Sequence, residues 1–450
     1  MFSMPRRQLG VAALVMMCAL LGQSLAAPAD APVVSIEGAA AAGAPAAYIT
    51  ALGDAVSIFQ TGELTAPIRD AAFAAASDAG AAAVTGRGFS AGMTAVRRGA
   101  TTIQQSSGPG WGFPMSITAF PLEALGGILG RSIAAPISEG TVVMGQTSAG
   151  LRGAVVGDRV DLMTAGGGTV AFTIGMVAAD SAIGSTEILM STQQASLLGA
   201  ALDTRVLIYG RFDRSALQTA LAQRGLAGNS KVRIRQSWDA PDPDSTMSMS
   251  RTKALLGEFQ MNYSNLTELG WTAVDDAWRN QYLPPAREDY PAGIKAMCNK
   301  TVKGDLTAAL QEVVDAGLAG GIDVANSNSY GGCSPGQARL ARITQSLGSV
   351  SRHSWGQPID INTITNCQGC VPPMDCRIVR IFRKHNFAWG GNFLTPDGMH
   401  FEWVGEVRNM LQYPSKYCPN LPGGQVQSAN VPPPPTSRGT LFADDGLVQE

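Results

Sequence analysis

Two short segments of the chain each combine a histidine with an acidic residue. The segment 351–360 reads Ser-Arg-His-Ser-Trp-Gly-Gln-Pro-Ile-Asp, and the segment 396–403 reads Pro-Asp-Gly-Met-His-Phe-Glu-Trp. His353, Asp360 and His400 offer two imidazole nitrogens and one carboxylate oxygen. Zn²⁺ binds such a set at about 2 Å per bond and keeps a fourth position open for water. The fold must therefore bring two distant segments together around one ion.

The residues around these ligands have the pattern of short strands. Successive side chains of a strand point to opposite faces. Asp360 would therefore face a cleft, while Ile359 and Ile361 pack in the core. In the second segment, His400 and Glu402 would share a face. The strand pattern thus predicts which face of each strand carries the candidate ligands Asp360 and His400.

Asp397 precedes His400 by three residues and lies in the turn-forming sequence Pro-Asp-Gly. A turn at this point can swing the carboxylate of Asp397 back over the metal. The sequence therefore predicts a catalytic acid at Asp397.

The first 26 residues have the pattern of a secretory signal. Arg6 and Arg7 precede an apolar stretch from Leu9 to Leu21, and small residues lead up to a cleavage point after Ala26. We expect an extracytoplasmic protein, in the periplasm, in the cell wall or secreted. No later segment reaches about 18 uninterrupted apolar residues, so we expect no stable membrane insertion after cleavage of the signal.

The charges of the chain are nearly balanced, with 33 Lys and Arg against 35 Asp and Glu. Loss of Arg6 and Arg7 leaves 31 against 35, a net charge of −4 for the mature chain. No basic stripe is present in the sequence, so we expect no nucleic-acid partner.

The cysteines of the mature chain all lie in its last third. Their even number and the predicted export favour disulfides, although the sequence does not choose the pairing. The alternative is a second zinc site on Cys367, Cys370 and Cys376, which lacks a fourth ligand at a suitable spacing. The six residues are Cys298, Cys333, Cys367, Cys370, Cys376 and Cys418.

Changes of composition along the chain predict a multidomain protein, in which a C-terminal α+β domain follows a small β-rich domain and an Ala/Gly-rich N-terminal region. The predicted parts are a signal peptide (1–26), an Ala/Gly-rich, partly helical region (27–110), a small β-rich domain (111–211), a mixed connecting segment (212–290), the α+β domain (291–420) and a disordered Pro-rich tail (421–450).

Two patterns support the division before residue 291. Apolar and small residues alternate from Val170 to Met176, which predicts a strand with one buried face. The run Asp239–Asp244 contains three acids and two prolines. We interpret it as a solvated turn, since it lacks the glycine and the final glutamate of a calcium-binding EF-hand loop.

Helix signals alternate with the strands of the C-terminal part. An apolar face from Leu306 to Val314 predicts a helix that Gly317 ends, and Asp375 predicts the start of a helix that Asn386 ends. The sequence 334–337, Ser-Pro-Gly-Gln, resembles a capping box, and apolar residues at helical spacing follow it. It predicts a further helix, with Leu340, Ile343 and Leu347 on one face.

The pattern Ser351-x-His353-x-x-Gly356-x-x-x-Asp360, together with Asp397-x-x-His400, resembles that of a family of zinc peptidases. The family includes VanY-type D-alanyl-D-alanine carboxypeptidases and phage L-alanyl-D-glutamate endopeptidases. The sequence 387–391, Phe-Ala-Trp-Gly-Gly, is similar to that of the endopeptidase-like branch. The resemblance covers roughly residues 317–402 and says nothing about the β-rich domain.

The resemblance implies roles for individual residues. His353, Asp360 and His400 would bind one Zn²⁺, which lowers the pKa of a bound water to about 7. Asp397 would be the general base; several family members have glutamate there, so the shorter Asp397 leaves Glu402 as an alternative base. An upstream arginine would stabilise the oxyanion, and Arg339, on the predicted helix, is the candidate.

Two functions remain open from the sequence. The first is a secreted zinc metallopeptidase, of the D,D-carboxypeptidase or L,D-endopeptidase type, that hydrolyses peptide bonds in peptidoglycan stem peptides with a metal-activated water. The alternative is a catalytically weak or inactive protein that binds or scaffolds the cell wall and keeps a structural metal site. The bond cleaved and the partner of the β-rich domain stay open.

Overall fold

Most of the chain between the predicted signal and the Pro-rich tail is described by the computed structural model. The described residues are 53–60, 63–138, 140–325, 332–333, 336–341 and 348–422. The predicted signal peptide and nearly all of the predicted tail lie outside them. No helix within these ranges is long and apolar enough to cross a membrane.

The first half of the described chain is mostly β-structure with short helices. Its strands are β1 (Asp54–Gln60), β2 (Ala82–Arg98), β3 (Thr101–Gln105), β4 (Trp111–Phe120), β5 (Thr141–Gly145), β6 (Arg159–Met163), β7 (Thr169–Ala178), β8 (Ile188–Ser191), β9 (Arg205–Gly210), β10 (Val232–Gln236) and β11 (Met261–Asn262). Its helices are α1 (Ala66–Asp78), α2 (Leu122–Leu129), α3 (Arg131–Ala134), α4 (Gln146–Arg152), α5 (Thr192–Leu197), α6 (Arg214–Gln223) and α7 (Met249–Leu256).

A closed ring of strands organises this half. The ring runs β2-β6-β7-β5-β8-β4 and closes because β4 pairs again with β2. The first residues of β2 pair instead with β9, from which β1 and β10 continue the same sheet. Strand β7 buries Phe172 and Ile174 on one face, so the predicted strand with one buried face is confirmed.

This sheet extends beyond the predicted β-rich domain (111–211) on both sides. Strands β1, β2 and β3 lie in the region predicted as Ala/Gly-rich and partly helical (27–110), which also contains helix α1. Strand β10 lies in the predicted connecting segment. The described residues from Gly53 onward belong to one compact unit, so the predicted multidomain layout is not confirmed.

The second half is an α+β arrangement, as predicted. Its strands are β12 (Trp271–Thr272), β13 (Glu288–Asp289), β14 (Lys295–Ala296), β15 (Ala338–Ala341), β16 (Ser349–Val350), β17 (Pro358–Asp360), β18 (Phe387–Trp389) and β19 (His400–Trp403), and its helices are α8 (Asp276–Tyr282), α9 (Lys303–Asp315) and α10 (Cys376–Lys384). Short 3₁₀ turns lie at Asp180–Ile183, Tyr263–Asn265, Pro291–Gly293, Ala319–Gly321, Arg352–Trp355 and Gly390–Asn392.

Small sheets carry the segments of interest. Strands β12, β15 and β16 form one sheet, β13 and β14 form a second, and β17, β19 and β18 form a third. Helices α9 and α10 pack against each other, and the buried faces of these elements share one apolar core.

Two of the predicted helices are confirmed at their ends. Helix α9 is followed by Gly317, whose φ is 69°. Asp375 caps α10 by accepting a hydrogen bond from the backbone of Arg377, and Asn386 follows the helix with a φ of 71°. The chain thus turns where the sequence predicts.

The helix predicted after the capping box at 334 is wrong where the structure describes it. Residues Ala338–Ala341 form strand β15 instead. Arg339 pairs with Trp271 on one side, and Leu340 pairs with Val350 on the other. These distant pairings override the local pattern. Residues 334–335 and 342–347 lie outside the described chain.

The acidic run Asp239–Asp244 is not the predicted solvated turn, because Asp242 and Asp244 are each 1% exposed. The carboxylate of Asp244 accepts hydrogen bonds from the backbone of Trp389 and from the side chain of Asn392, and it forms a buried ion pair with Arg383. A segment expected on the surface therefore supports strand β18.

The predicted connecting segment (212–290) also contributes to the C-terminal core. Leu256, Phe259 and Trp278 are buried beside Trp355. Helix α7 also contacts the ring of strands, because the ammonium of Lys253 lies 2.9 Å from a carboxylate oxygen of Glu187, the residue before β8. The boundary at residue 291 stays a prediction that these contacts do not support.

The six cysteines in the last third of the chain form three disulfides, the arrangement that the sequence favours. Cys298 pairs with Cys333, Cys367 with Cys370, and Cys376 with Cys418. The alternative zinc site on Cys367, Cys370 and Cys376 is therefore wrong, since all three sulfurs are in disulfides.

Candidate metal centre

Strand pairing places two of the predicted ligands side by side. Asp360 ends strand β17 and His400 begins strand β19, and the two residues are direct partners in the antiparallel ladder. Directly opposed residues project to the same face of a sheet. Ile359 and Ile361, on the other face, are fully buried, as predicted. The register of β17 against β19 therefore places the carboxylate of Asp360 beside the imidazole of His400.

The third predicted ligand, His353, lies in the 3₁₀ turn Arg352–Trp355. The hydroxyl of Ser351 accepts a hydrogen bond from the backbone of His353 and caps the turn. Gly356 ends the turn with a φ of 63°, a conformation that favours glycine. The glycine of the sequence pattern therefore has a backbone role, and it aims His353 toward the two strands.

The three facing atoms form a nearly equilateral triangle. His353 Nε2 lies 3.2 Å from His400 Nδ1 and 3.3 Å from Asp360 Oδ1, and the latter two atoms are 3.2 Å apart. Ligands at about 2.0–2.1 Å from a tetrahedral Zn²⁺ are about 3.3 Å from one another. The residues therefore fit three corners of a zinc tetrahedron.

Hydrogen bonds behind the two imidazoles fix which nitrogen faces the triangle. A carbonyl or carboxylate oxygen only accepts, so the nitrogen that bonds it carries the proton. His353 Nδ1 donates to the carbonyl of Cys333 at 2.9 Å, and His400 Nε2 donates to Glu402 at 3.5 Å. Once His400 Nδ1 gives up the proton that it shares with Asp360, the lone pairs of His353 Nε2 and His400 Nδ1 would both be available to a metal in the shared space.

The charges around the triangle favour a cation in it. Burial disfavours a charged His400, but hydrogen bonds with Asp360 and Glu402 outweigh burial and raise its pKa to about 10. Burial opposes ionisation of Asp360, yet the charge of His353 and its hydrogen bond, followed by those of His400, hold the pKa of Asp360 well below its usual range. The ionised carboxylate of Asp360 can therefore balance a positive charge in the site.

Glu402, the alternative base of the sequence analysis, lies behind His400. Its carboxylate accepts a hydrogen bond from the side chain of Gln357 at 2.9 Å, and Arg352 Nε lies 3.9 Å away. Glu402 is only 2% exposed. These contacts suit a residue that orients His400.

Asp397 lies in a turn that leads directly into His400. The backbone of His400 donates to the carbonyl of Asp397, whose own backbone donates to Gly390. A Cβ atom on Gly390 would lie 3.0 Å from His400 Cβ and 3.2 Å from Asp397 Cβ. Asp397 and His400 therefore flank Gly390 together, and the turn predicted at 396–398 leads Asp397 to the side of His400.

Arg339 lies on strand β15 rather than on a helix. Its guanidinium lies over the indole of Trp271, 5.4 Å from the ring centroid, and Nε is 3.4 Å from the carbonyl of Leu269. Trp271 also lines a groove of about 400 Å³ with Asn265, Thr267, Thr272, Ala273 and Gln337. The backbone N–H of Arg339 donates a hydrogen bond to the hydroxyl of Ser354, which lies in the 3₁₀ turn Arg352–Trp355, here called the histidine turn.

Some supporting residues were not predicted from the sequence. The carbonyl of Cys333 has no sequence signal, because any residue carries one. Gln357 lies between His353 and Asp360 in the sequence, and this position is the one signal that could have indicated its role near the site. Arg352 is held by Thr252 and Met247, about 100 residues earlier, which a local pattern does not reveal.

Comparison with known proteins adds one finding. Residues 344–403 match the family model described as D-alanyl-D-alanine carboxypeptidase. The match includes all three candidate ligands and Asp397, and it confirms the resemblance inferred from the sequence for this part of the chain. No match to the chain was found among curated proteins.

Proposed function

We propose that the protein is an exported zinc-dependent peptidase that hydrolyses peptide bonds in the stem peptides of peptidoglycan. The observation that carries the proposal is the triangle of His353 Nε2, Asp360 Oδ1 and His400 Nδ1, whose edges of 3.2–3.3 Å fit zinc. The match of residues 344–403 to the carboxypeptidase family supports the substrate class. Whether the bond is of the D,D or the L,D type stays open.

Three protein ligands would leave a fourth tetrahedral position for water, which is characteristic of a catalytic rather than a structural zinc site. Held by these three residues, Zn²⁺ would act as a Lewis acid on a peptide carbonyl and bring the pKa of water to about 7. One ion per chain is expected.

The residues of the chain would handle the proton. In our proposal, Asp397 accepts a proton from the attacking water and later delivers it to the leaving amine. Glu402 keeps His400 in the correct tautomer and orientation. In the same proposal, the rest of the peptide binds in the groove that Trp271 lines, and Arg339, whose guanidinium lies over Trp271, offers a cation to the free carboxylates of stem peptides.

Digestion of purified peptidoglycan tests the proposal. Muropeptides are treated with the mature chain, with the chain plus a chelator, and with the Asp397→Asn variant, and new amine and carboxyl termini are identified by mass spectrometry. Asp289→Asn, at an exposed carboxylate, is the matched control. We expect new termini from the mature chain and from the control only. A chain that binds zinc but releases no termini would instead support the scaffolding alternative.

A further inference from the structure

The carbonyl that orients His353 belongs to a disulfide-bonded residue. Cys333 accepts the hydrogen bond of His353 Nδ1 at 2.9 Å, and its sulfur is joined to Cys298. Its neighbour Gly332 forms an isolated antiparallel bridge with Asp360. The backbone at 332–333 therefore touches the elements that carry two of the three candidate ligands.

The segment around Cys298, the other cysteine of this disulfide, forms hydrogen bonds with the C-terminal end of the histidine turn. Asn299, next to Cys298, donates its backbone N–H to the carbonyl of Gly356 at 2.9 Å and its side-chain amide to the carbonyl of Trp355 at 3.2 Å. The contact is close, because a Cβ on Gly356 would meet Asn299 N at 2.8 Å and Cys298 C at 3.4 Å. Both cysteines are buried, at 0% and 1% exposure.

We propose that the Cys298–Cys333 disulfide is a positioning device for the metal centre. It connects the segment that fixes the end of the histidine turn to the carbonyl that fixes the tautomer and ring orientation of His353. Without the bond, the two segments move independently, the carbonyl of Cys333 leaves Nδ1, and the lone pair of Nε2 is no longer held toward Asp360 and His400. The inference rests on the proposed zinc site and deepens it.

The chain offers a matched control in the Cys376–Cys418 disulfide, which joins the first residue of α10 to the segment before Pro419. The two bonds span 35 and 42 residues. Loops of such similar length restrict the unfolded chain to a similar degree. Removal of either bond is therefore expected to lower stability comparably, while only the Cys298–Cys333 bond contacts the histidine turn through its carbonyl and its neighbour.

The test measures zinc affinity by chelator competition and ligand geometry by the absorption of bound Co²⁺, for the wild type, Cys298→Ala/Cys333→Ala and Cys376→Ala/Cys418→Ala. We expect the first pair to weaken zinc binding about 10- to 100-fold and to alter the Co²⁺ spectrum, the effect typical of losing a group behind a ligand. The second pair should stay within about twofold of the wild type. Unchanged affinity in the first pair, or an equal loss in both pairs, would overturn the inference.

A second measurement covers the case in which the first pair does not fold. The wild-type chain is partly reduced with a phosphine, which does not chelate zinc as a dithiol does, the free thiols are alkylated, and the zinc affinity of each species is read by native mass spectrometry with a competing chelator. The species reduced only at Cys298 and Cys333 should bind zinc about 10- to 100-fold more weakly than the untreated chain, and unchanged affinity would overturn the inference. If the untreated wild type binds no zinc, the proposed function itself fails, which distinguishes the two outcomes.

Discussion

Asp360 and His400 face each other across two antiparallel strands, with Asp360 Oδ1 3.2 Å from His400 Nδ1. The register of β17 and β19 sets this contact, and the turn that carries His353 supplies the third corner. A site built on paired strands holds its ligands more rigidly than one built on loops.

Substitution of Asp397 and substitution of Glu402 should have different kinetic effects. Asp397→Asn removes the proposed proton acceptor, so we expect kcat to fall by about 10²- to 10⁴-fold while zinc is retained. Glu402→Gln weakens the acceptor behind His400, so we expect zinc affinity to fall by about 10- to 100-fold, with turnover restored largely by excess zinc. Steady-state kinetics at several zinc concentrations measures both effects.

The opposite pattern would reverse these roles. If Asp397→Asn kept full turnover and Glu402→Gln lost it at saturating zinc, Glu402 would be the base and Asp397 a turn residue.

Gly390 should tolerate no side chain. A Cβ there would lie 2.6 Å from the carbonyl oxygen of Asp397 and 3.0 Å from His400 Cβ. Gly390→Ala therefore has to displace a ligand or the proposed base, and a shift of about 1 Å can cost about 100-fold in rate. Gly320→Ala, also in a 3₁₀ turn but with nothing within 4 Å of its Cβ, is the control. Equal kcat values for the two variants would contradict the described packing.

Arg339 should affect substrate binding more than the chemical step. Its guanidinium lies over Trp271, which lines the groove, so we expect Arg339→Ala to raise KM about tenfold or more with a small change in kcat, and Arg339→Lys to recover part of the loss. A large fall in kcat at unchanged KM would support the oxyanion role that the family resemblance implies.

Asp242 should make stability depend on pH. Burial and the neighbouring carboxylate of Asp244 raise the pKa of Asp242 from 3.8 to about 6. Between these values the folded chain holds a proton that the unfolded chain releases, so the contribution of Asp242 to stability falls as pH rises from about 4 to 6. The loss is at most about 3 kcal/mol.

Urea unfolding of the wild type and of Asp242→Asn at several pH values tests this sign, since asparagine does not titrate. The free energy of unfolding of the variant should rise relative to the wild type as pH increases across this window. Parallel pH profiles for the two proteins would contradict the raised pKa.

The sequence predicted those parts of the site that are local. Asp360, His400 and the turn at Asp397 follow from strand alternation and turn chemistry. The cap at Asp375 and the helix end at Gly317 follow from short-range rules. These features depend on neighbours a few residues away, which a sequence displays directly.

The features that were missed depend on distant partners. Strand β15 exists because Arg339 pairs with Trp271, and the buried Asp244 is satisfied by Arg383. Strand β2 forms in a region expected to be partly helical because it completes a ring with five later strands, β4 to β8. Tertiary pairing outweighs local propensity in each case.

Zinc content tests the central claim most directly. The mature wild type, His400→Gln and His385→Gln are dialysed against zinc and then against metal-free buffer, and the metal per chain is measured by mass spectrometry. His385 is the matched control, because its ring bonds Glu312 on α9. We predict one zinc per chain in the wild type and in His385→Gln, and almost none in His400→Gln. A wild type without zinc, or zinc that persists in His400→Gln, would contradict the account.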